Sequence, residues 1–214
     1  MRQTTCVLVR WASIVVVTAG IGAGVLHLPG ARSLLRRAGG CPIPRATAAQ
    51  VEAAQARAFR VLRGTATAKS RPALGFGLEI STRTDVESWA RKHRIACESR
   101  REGAILLCDA VPASAVSPGA TGRYDELAFG FRLRDFRLVN LTALRTGLSP
   151  RAADGELRSV AARLGNMLGA PAKAVAGDPA VLVYRHADYL AEVSAMSLRG
   201  RGHALREHYM SALE

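Results

Sequence analysis

Two spacings of apolar residues alternate along this chain, and the switches between them divide it into elements. In "AAQVEAAQARAFRVLR", Val51, Ala54, Ala58 and Val61 share one stripe and Gly64 follows, which predicts a helix over residues 48–63. "LGFGLEI" then places Leu74, Phe76, Leu78 and Ile80 at every second position, the spacing of a strand with one buried face, over 74–80. Thr84 and Glu87 have capping-box spacing for a second helix, with Val86, Trp89, Ala90 and His93 on its apolar side. That spacing makes His93 a helix-end residue beside the core.

"IACESRREGAILLCDAV" reads as a hairpin turning about Glu102-Gly103, and a four-residue turn over 101–104 sets Cys97 directly opposite Cys108. After the loop "PASAVSPGATG", Leu127, Phe129, Phe131 and Leu133 alternate, Arg134-Asp135 turns, and Phe136 and Leu138 continue the apolar side of a second hairpin. The helix at "SPRAADGELRSVAARLGNMLGAP" has Ser149 as N-cap, Pro150 at the first position and Gly169 with Pro171 as the stop. Leu157, Val160, Ala161, Leu164 and Leu168 form its apolar stripe. "AVLVYRH" and "YLAEVSAMSL" follow as strands around Ala187-Asp188. Gly200 and Gly202 break the chain before "HALREHYMSAL", read as a strand with a helix as the alternative.

Adjacent strands interrupted by single helices predict the α+β class: an antiparallel sheet with helices packed mainly on one face. A strand-helix-hairpin unit recurs from Leu74 and from Phe136, with Ser81-x-Arg83 and Ser149-x-Arg151 at the matching helix starts, which suggests a duplication.

The N-terminus breaks this pattern. Residues 11–30, "WASIVVVTAGIGAGVLHLPG", carry no charged side chain, and at ~1.5 Å per residue such a run can cross a hydrocarbon layer of ~30 Å. It reads as a signal anchor, or as a signal peptide cleaved after the small residues at 18–20 or 21–23. Residues 31–47, rich in Gly, Pro and Arg, form a linker, and 48–214 form the domain. The arginines flanking the apolar run taken alone would leave the domain in the cytoplasm. The cysteines argue the other way. Opposed across a hairpin they suit a disulfide, Cys97 to Cys108, and hence an oxidising compartment. Two buried thiols are the plainer alternative. A metal site from His93, Cys97, Cys108 and Asp109 lacks compact ligand pairs and is disfavoured.

Of 214 residues 49% are apolar, enough for one core. The formal charge is +13, but 27 of the 30 basic residues are arginine and six of them fall with no acid in residues 1–48, which leaves +7 on the remainder. That balance suits an anionic partner weakly. Only 5% of residues are aromatic, so stacking on single-stranded nucleic acid has no platform and no specific nucleic-acid partner is expected.

The search for chemistry finds no nucleophile elbow, zinc-protease motif or phosphate loop, and no cofactor motif. Asp85/Glu87, Asp125/Glu126 and Asp154/Glu156 lie at helix starts or loops, where acids serve the helix dipole. His203 and His208, with Glu207 between, are candidates for a general base, but on a strand the two histidines face opposite sides. Arg132 and Arg137, by contrast, are predicted directly opposite one another on an outer face, where like charges repel. Together with Arg199 and Arg201 in "RGRG" they are the candidate binding residues. The expected function is a membrane-tethered or secreted envelope domain that binds without catalysis. Its partner would be an envelope protein or anionic envelope component, and the alternative is a small extracytoplasmic hydrolase.

Overall fold

The computed structural model describes residues 62–117 and 119–211, with isolated positions at 47, 49–50, 53–54, 57 and 60. The apolar run at 11–30 and the 31–46 portion of the linker lie outside the described residues. Among those described, no helix is long and apolar enough to cross a membrane. The described positions between 49 and 62 are helical, in line with the first expected helix.

The domain is mostly an antiparallel sheet with few helices. Two short strands, β1 (Pro72–Ala73) and β2 (Phe76–Gly77), pair as a small hairpin. Helix α1 (Arg83–Lys92) leads into β3 (Cys97–Arg100), β4 (Ile105–Pro112), the single-turn helix α2 (Ala113–Val116), β5 (Arg123–Phe131) and β6 (Leu138–Leu148). Helix α3 (Pro150–Leu168) leads into β7 (Lys173–Val175), β8 (Ala180–Arg185), β9 (Tyr189–Leu198) and β10 (Gly202–Ser211). The main sheet runs β3-β4-β5-β6-β10-β9-β8-β7. A helix followed by a four-strand meander therefore occurs twice, and the last strands of the two meanders pair at the centre.

Alternation on the strands sends one set of side chains to the helices. Leu127, Phe129, Leu141, Ala143, Leu205, Tyr209, Ala191 and Val193 form one core with Val86 of α1 and with Val160 and Leu164 of α3. Phe76, Trp89 and Phe129 meet edge to face within it, with centroids 5.1 to 5.8 Å apart. Trp89 Nε1 donates to Ala115 O at 2.9 Å and Tyr184 OH to Ala161 O at 3.3 Å, so each helical layer is tied to a neighbour.

Helix α3 has the expected termini: Ala152 N donates to Ser149 Oγ at 3.2 Å, Pro150 opens the first turn, and Gly169 closes the last. β10 is a strand, as its glycine break suggested. The Cys97–Cys108 disulfide is present, with the two residues directly paired and a four-residue turn over 101–104.

Three expectations require correction. Residues 74–80 do not form one strand. Leu74, Gly75 and Glu79 take positive φ, and the backbone reverses so that Leu74 and Leu78 are buried while Ile80 is 74% exposed. Gly75 is required there, because its φ is +84 and a Cβ would sit 2.9 Å from Val116 O. The capping box of α1 is Thr82 with Asp85 and lies two residues earlier than Thr84 with Glu87, because Thr82 bridges to Arg137 and Arg83 N donates to Phe136 O as the chain enters the helix. Phe136 does not continue the apolar side of its hairpin. Its φ of 52° turns the side chain out to 40% exposure.

Candidate functional site

The β5–β6 turn carries two of the arginines singled out from the sequence. Phe131 pairs with Leu138, and Arg132 N donates to Arg137 O at 2.9 Å, so the two arginines are opposed. Their environments differ. Arg132 is only 7% exposed, and its guanidinium reaches Glu79 Oε2 at 2.8 Å and both carboxylate oxygens of Asp135 at 2.8 and 3.0 Å. These acids offset the like-charge repulsion, and the hydrogen bond from Arg132 holds Asp135 well below the usual carboxylate range, at about 2. Arg137 is exposed and donates from Nη1 to Glu79 O at 2.7 Å.

The same turn presents apolar surface. Glu79 N donates to Leu138 O and Leu138 N to Ser81 O, both at 2.8 Å, which seats exposed Ile80 against the start of β6. Ile80, Phe136, Arg134 and Arg137 thus share one end of the sheet, all four exposed and Ile80 the most exposed large apolar side chain among the described residues. Arg199 and Arg201 lie exposed in the β9–β10 turn at the opposite end, since β10 pairs His203 with Leu148 and Met210 with Asn140. The four predicted arginines do not form one patch.

The histidines of β10 are separated too. His203 lies on the α3 side beside Asp154, Leu157 and Asp178. His208 is on the other face with its Nε2 3.0 Å from Asn140 Nδ2, and burial, reinforced by Arg206, lowers its pKa to about 4. Glu207, between them, faces α3.

Glu207 is the centre of a polar cluster that alternation alone did not disclose. It is 1% exposed and accepts from Arg163 Nη2 at 2.6 Å, from Tyr124 OH at 3.3 Å and from the Tyr209 hydroxyl, while Arg163 Nη2 also meets Tyr209 OH at 3.0 Å. Burial first, and then the adjacent Glu207 carboxylate, push the Tyr124 and Tyr209 hydroxyls well up, so both remain donors. Beside them Arg145, on the buried face of β6, donates from Nε to Arg123 O at 3.2 Å and from Nη2 to Thr121 O at 2.6 Å. Its Nη1 pairs with Glu156 of α3 at 2.7 Å, and the guanidinium stands 5.1 Å over the Tyr124 ring. A cavity of about 420 Å³ opens between α3 and this cluster. The sequence held one signal for it: Arg145 continues the Leu141-Ala143 alternation, and Glu207 stands between Leu205 and Tyr209, so each is a charge at a core position.

No protein-family model and no curated protein matches the sequence. Among solved structures, the chain is similar to a DUF4309 family protein (YjgB) from Bacillus subtilis subsp. subtilis str. 168, at 13% identity over 77% of this chain and 97% of that one, with a TM-score of 0.30.

Proposed function

We propose that this chain is an exported, non-catalytic binding domain, tethered by residues 11–30, that rests its β5–β6 turn on an anionic lipid surface of the envelope. The observation that carries this reading is the pairing of exposed apolar side chains, Ile80 and Phe136, with the exposed cations Arg134 and Arg137 at one end of the sheet. Apolar side chains enter the headgroup boundary, and each basic residue near an anionic leaflet contributes about 1 kcal/mol. Phe136, a bulky residue at positive φ, is backbone-strained, and such strain clusters at ligand-contacting sites.

The path of the chain supports the same orientation. Gly64 N donates to His186 O at 3.0 Å and Ala187 N to Ala66 O at 2.7 Å, so residues 64–66 run along the β8–β9 turn. That turn and the β5–β6 turn lie at the same end, because Met210 pairs with both Asn140 and Leu190. Residues 64–66 therefore lie at the same end of the sheet as the basic tip. The Cys97–Cys108 disulfide supports an oxidising compartment. The repeated helix-plus-meander order supports descent of residues 48–214 from a duplicated unit.

The test is hydrogen exchange on the full-length chain in nanodiscs of phosphatidylcholine with and without phosphatidylglycerol. Residues 78–82 and 132–138 should exchange more slowly in the anionic discs, and high salt or Arg134→Ala with Arg137→Ala should remove the difference. Equal exchange in both lipids would refute the proposed contact.

A further inference from the structure

The cavity beneath α3 has the construction of a small-ligand site. Its volume, about 420 Å³, falls within the range of roughly 300–1,000 Å³ usual for such pockets. Its charged groups are held in place before any ligand arrives. Arg145, 6% exposed, has an acceptor for each guanidinium nitrogen, and Arg163 is anchored through Nη2 to the fully buried Glu207.

Each charged pair also leaves capacity unused. Among the described residues no protein acceptor meets Nε or Nη1 of Arg163, and no donor meets the second carboxylate oxygen of Glu156. Both residues line the cavity. The cluster thus offers a donor site and an acceptor site while its two arginines and two glutamates balance. Net charge then selects the ligand. A simple anion would leave Glu156 facing added negative charge, and a simple cation would stand against Arg163 with nothing to offset it. A ligand carrying both charges satisfies both ends.

Spacing sets its size. Glu156 and Arg163 are seven residues apart on one helix face, roughly 10 Å along the axis. An extended dipeptide spans at most about 7 Å, and the long, rotatable side chains of Glu156 and Arg163 can close the difference. Gly155, next to Glu156, also lines the cavity, and a Cβ there would enter open space, with no neighbouring atom within 4 Å. Packing gives no reason for glycine at this interior helical position, where it weakens the helix relative to alanine.

We propose that this cavity binds a small zwitterion of the dipeptide class, its carboxylate on the open donors of Arg163 and its ammonium on Glu156. The proposal does not depend on the lipid contact of the β5–β6 turn. Titration calorimetry of the full-length chain in detergent would compare L-alanyl-L-alanine with N-acetyl-L-alanine, which lacks the ammonium, and L-alanyl-L-alanine amide, which lacks the carboxylate. The dipeptide should bind more tightly than either analogue by about ten-fold or more, since each loses a charge-assisted hydrogen bond. Glu156→Gln should bring the dipeptide and its acetylated analogue to equal affinity. Gly155→Leu should fill the cavity and abolish binding with no fall in unfolding temperature. Equal binding of dipeptide and N-acetyl-alanine by the native chain, binding retained in Gly155→Leu, or no binding of any probe would overturn the assignment.

Discussion

The two halves of the main sheet repeat one order of elements and stabilise it by different chemistry. In the first, α1 and β3–β6 enclose an aromatic cluster of Phe76, Trp89 and Phe129, and the outermost strand pair is closed by the Cys97–Cys108 disulfide. In the second, α3 and β7–β10 enclose Leu205 and Val193, but the position between Leu205 and Tyr209 holds the Glu207 carboxylate with Arg163, the Tyr209 hydroxyl and, from β5 of the first half, the Tyr124 hydroxyl. The difference teaches where this fold can hold a ligand. Aromatic packing and a covalent tie consolidate the first half. The polar cluster around Glu207 must hold its groups at hydrogen-bond distance, and the cavity beside it lies between α3 and Thr121, Tyr124 and Arg145 of the first half.

The contrast can be broken most strongly at Arg163. Arg163→Ala strands the buried Glu207 with only tyrosine donors, and removing the half-buried cation from it should lower stability by about 3 kcal/mol in denaturant unfolding of the full-length chain. Replacing both members, Arg163→Met with Glu207→Leu, should recover most of that loss and make the second half resemble the first. A double replacement as unstable as the single one would show that the cluster shapes the backbone as well.

The corresponding break in the first half is removal of its disulfide. Cys97→Ala with Cys108→Ala should cost about 3 kcal/mol by the chain-entropy estimate for so short a loop. Thiol labelling of the unfolded, unreduced chain should find both cysteines blocked. Free labelling of either would remove the support that the disulfide lends to export.

The smallest effect sharpens the comparison inside one turn. Arg132→Ala exposes Glu79 and Asp135 to loss of a buried charged partner and should cost about 1–2 kcal/mol, whereas exposed Arg137→Ala should stay within about 0.5 kcal/mol. Acid titration provides the second readout. The Asp135 pKa is lowered in the folded chain, so its contribution is present above the ordinary value of 3.8 and is lost as the pH falls through about 2. Arg132→Ala should abolish that part of the acid dependence; an unchanged profile would show that Arg132 is not its cause.

These residues also show which features the sequence disclosed. Ser149, Pro150 and Gly169 act through local backbone chemistry, so the ends of α3 were legible without the rest of the fold. The pairing of Cys97 with Cys108 was legible because hairpin parity is also local. Residues 74–80 misled because alternation is shared by a strand and by a reversing loop whose Leu74 and Leu78 happen to be buried. The start of α1 was misplaced because two threonines each have an acid three residues on, and tertiary pairing with the start of β6 chose between them. The Glu207 cluster needed partners 44 and 83 residues away, a distance over which spacing carries no information.

One consequence follows from the central pairing of β6 with β10. The final strand of the sheet is inserted in its middle, so during synthesis or export the first meander must wait with β6 as an open margin until residues 202–211 emerge. Such an unpaired border is a template for any extended chain nearby, including the β10 of a second copy. Premature termination before residue 202 would therefore leave two separate four- and three-stranded fragments with facing raw edges, a molecule disposed to strand exchange and aggregation more than to simple loss of its tail.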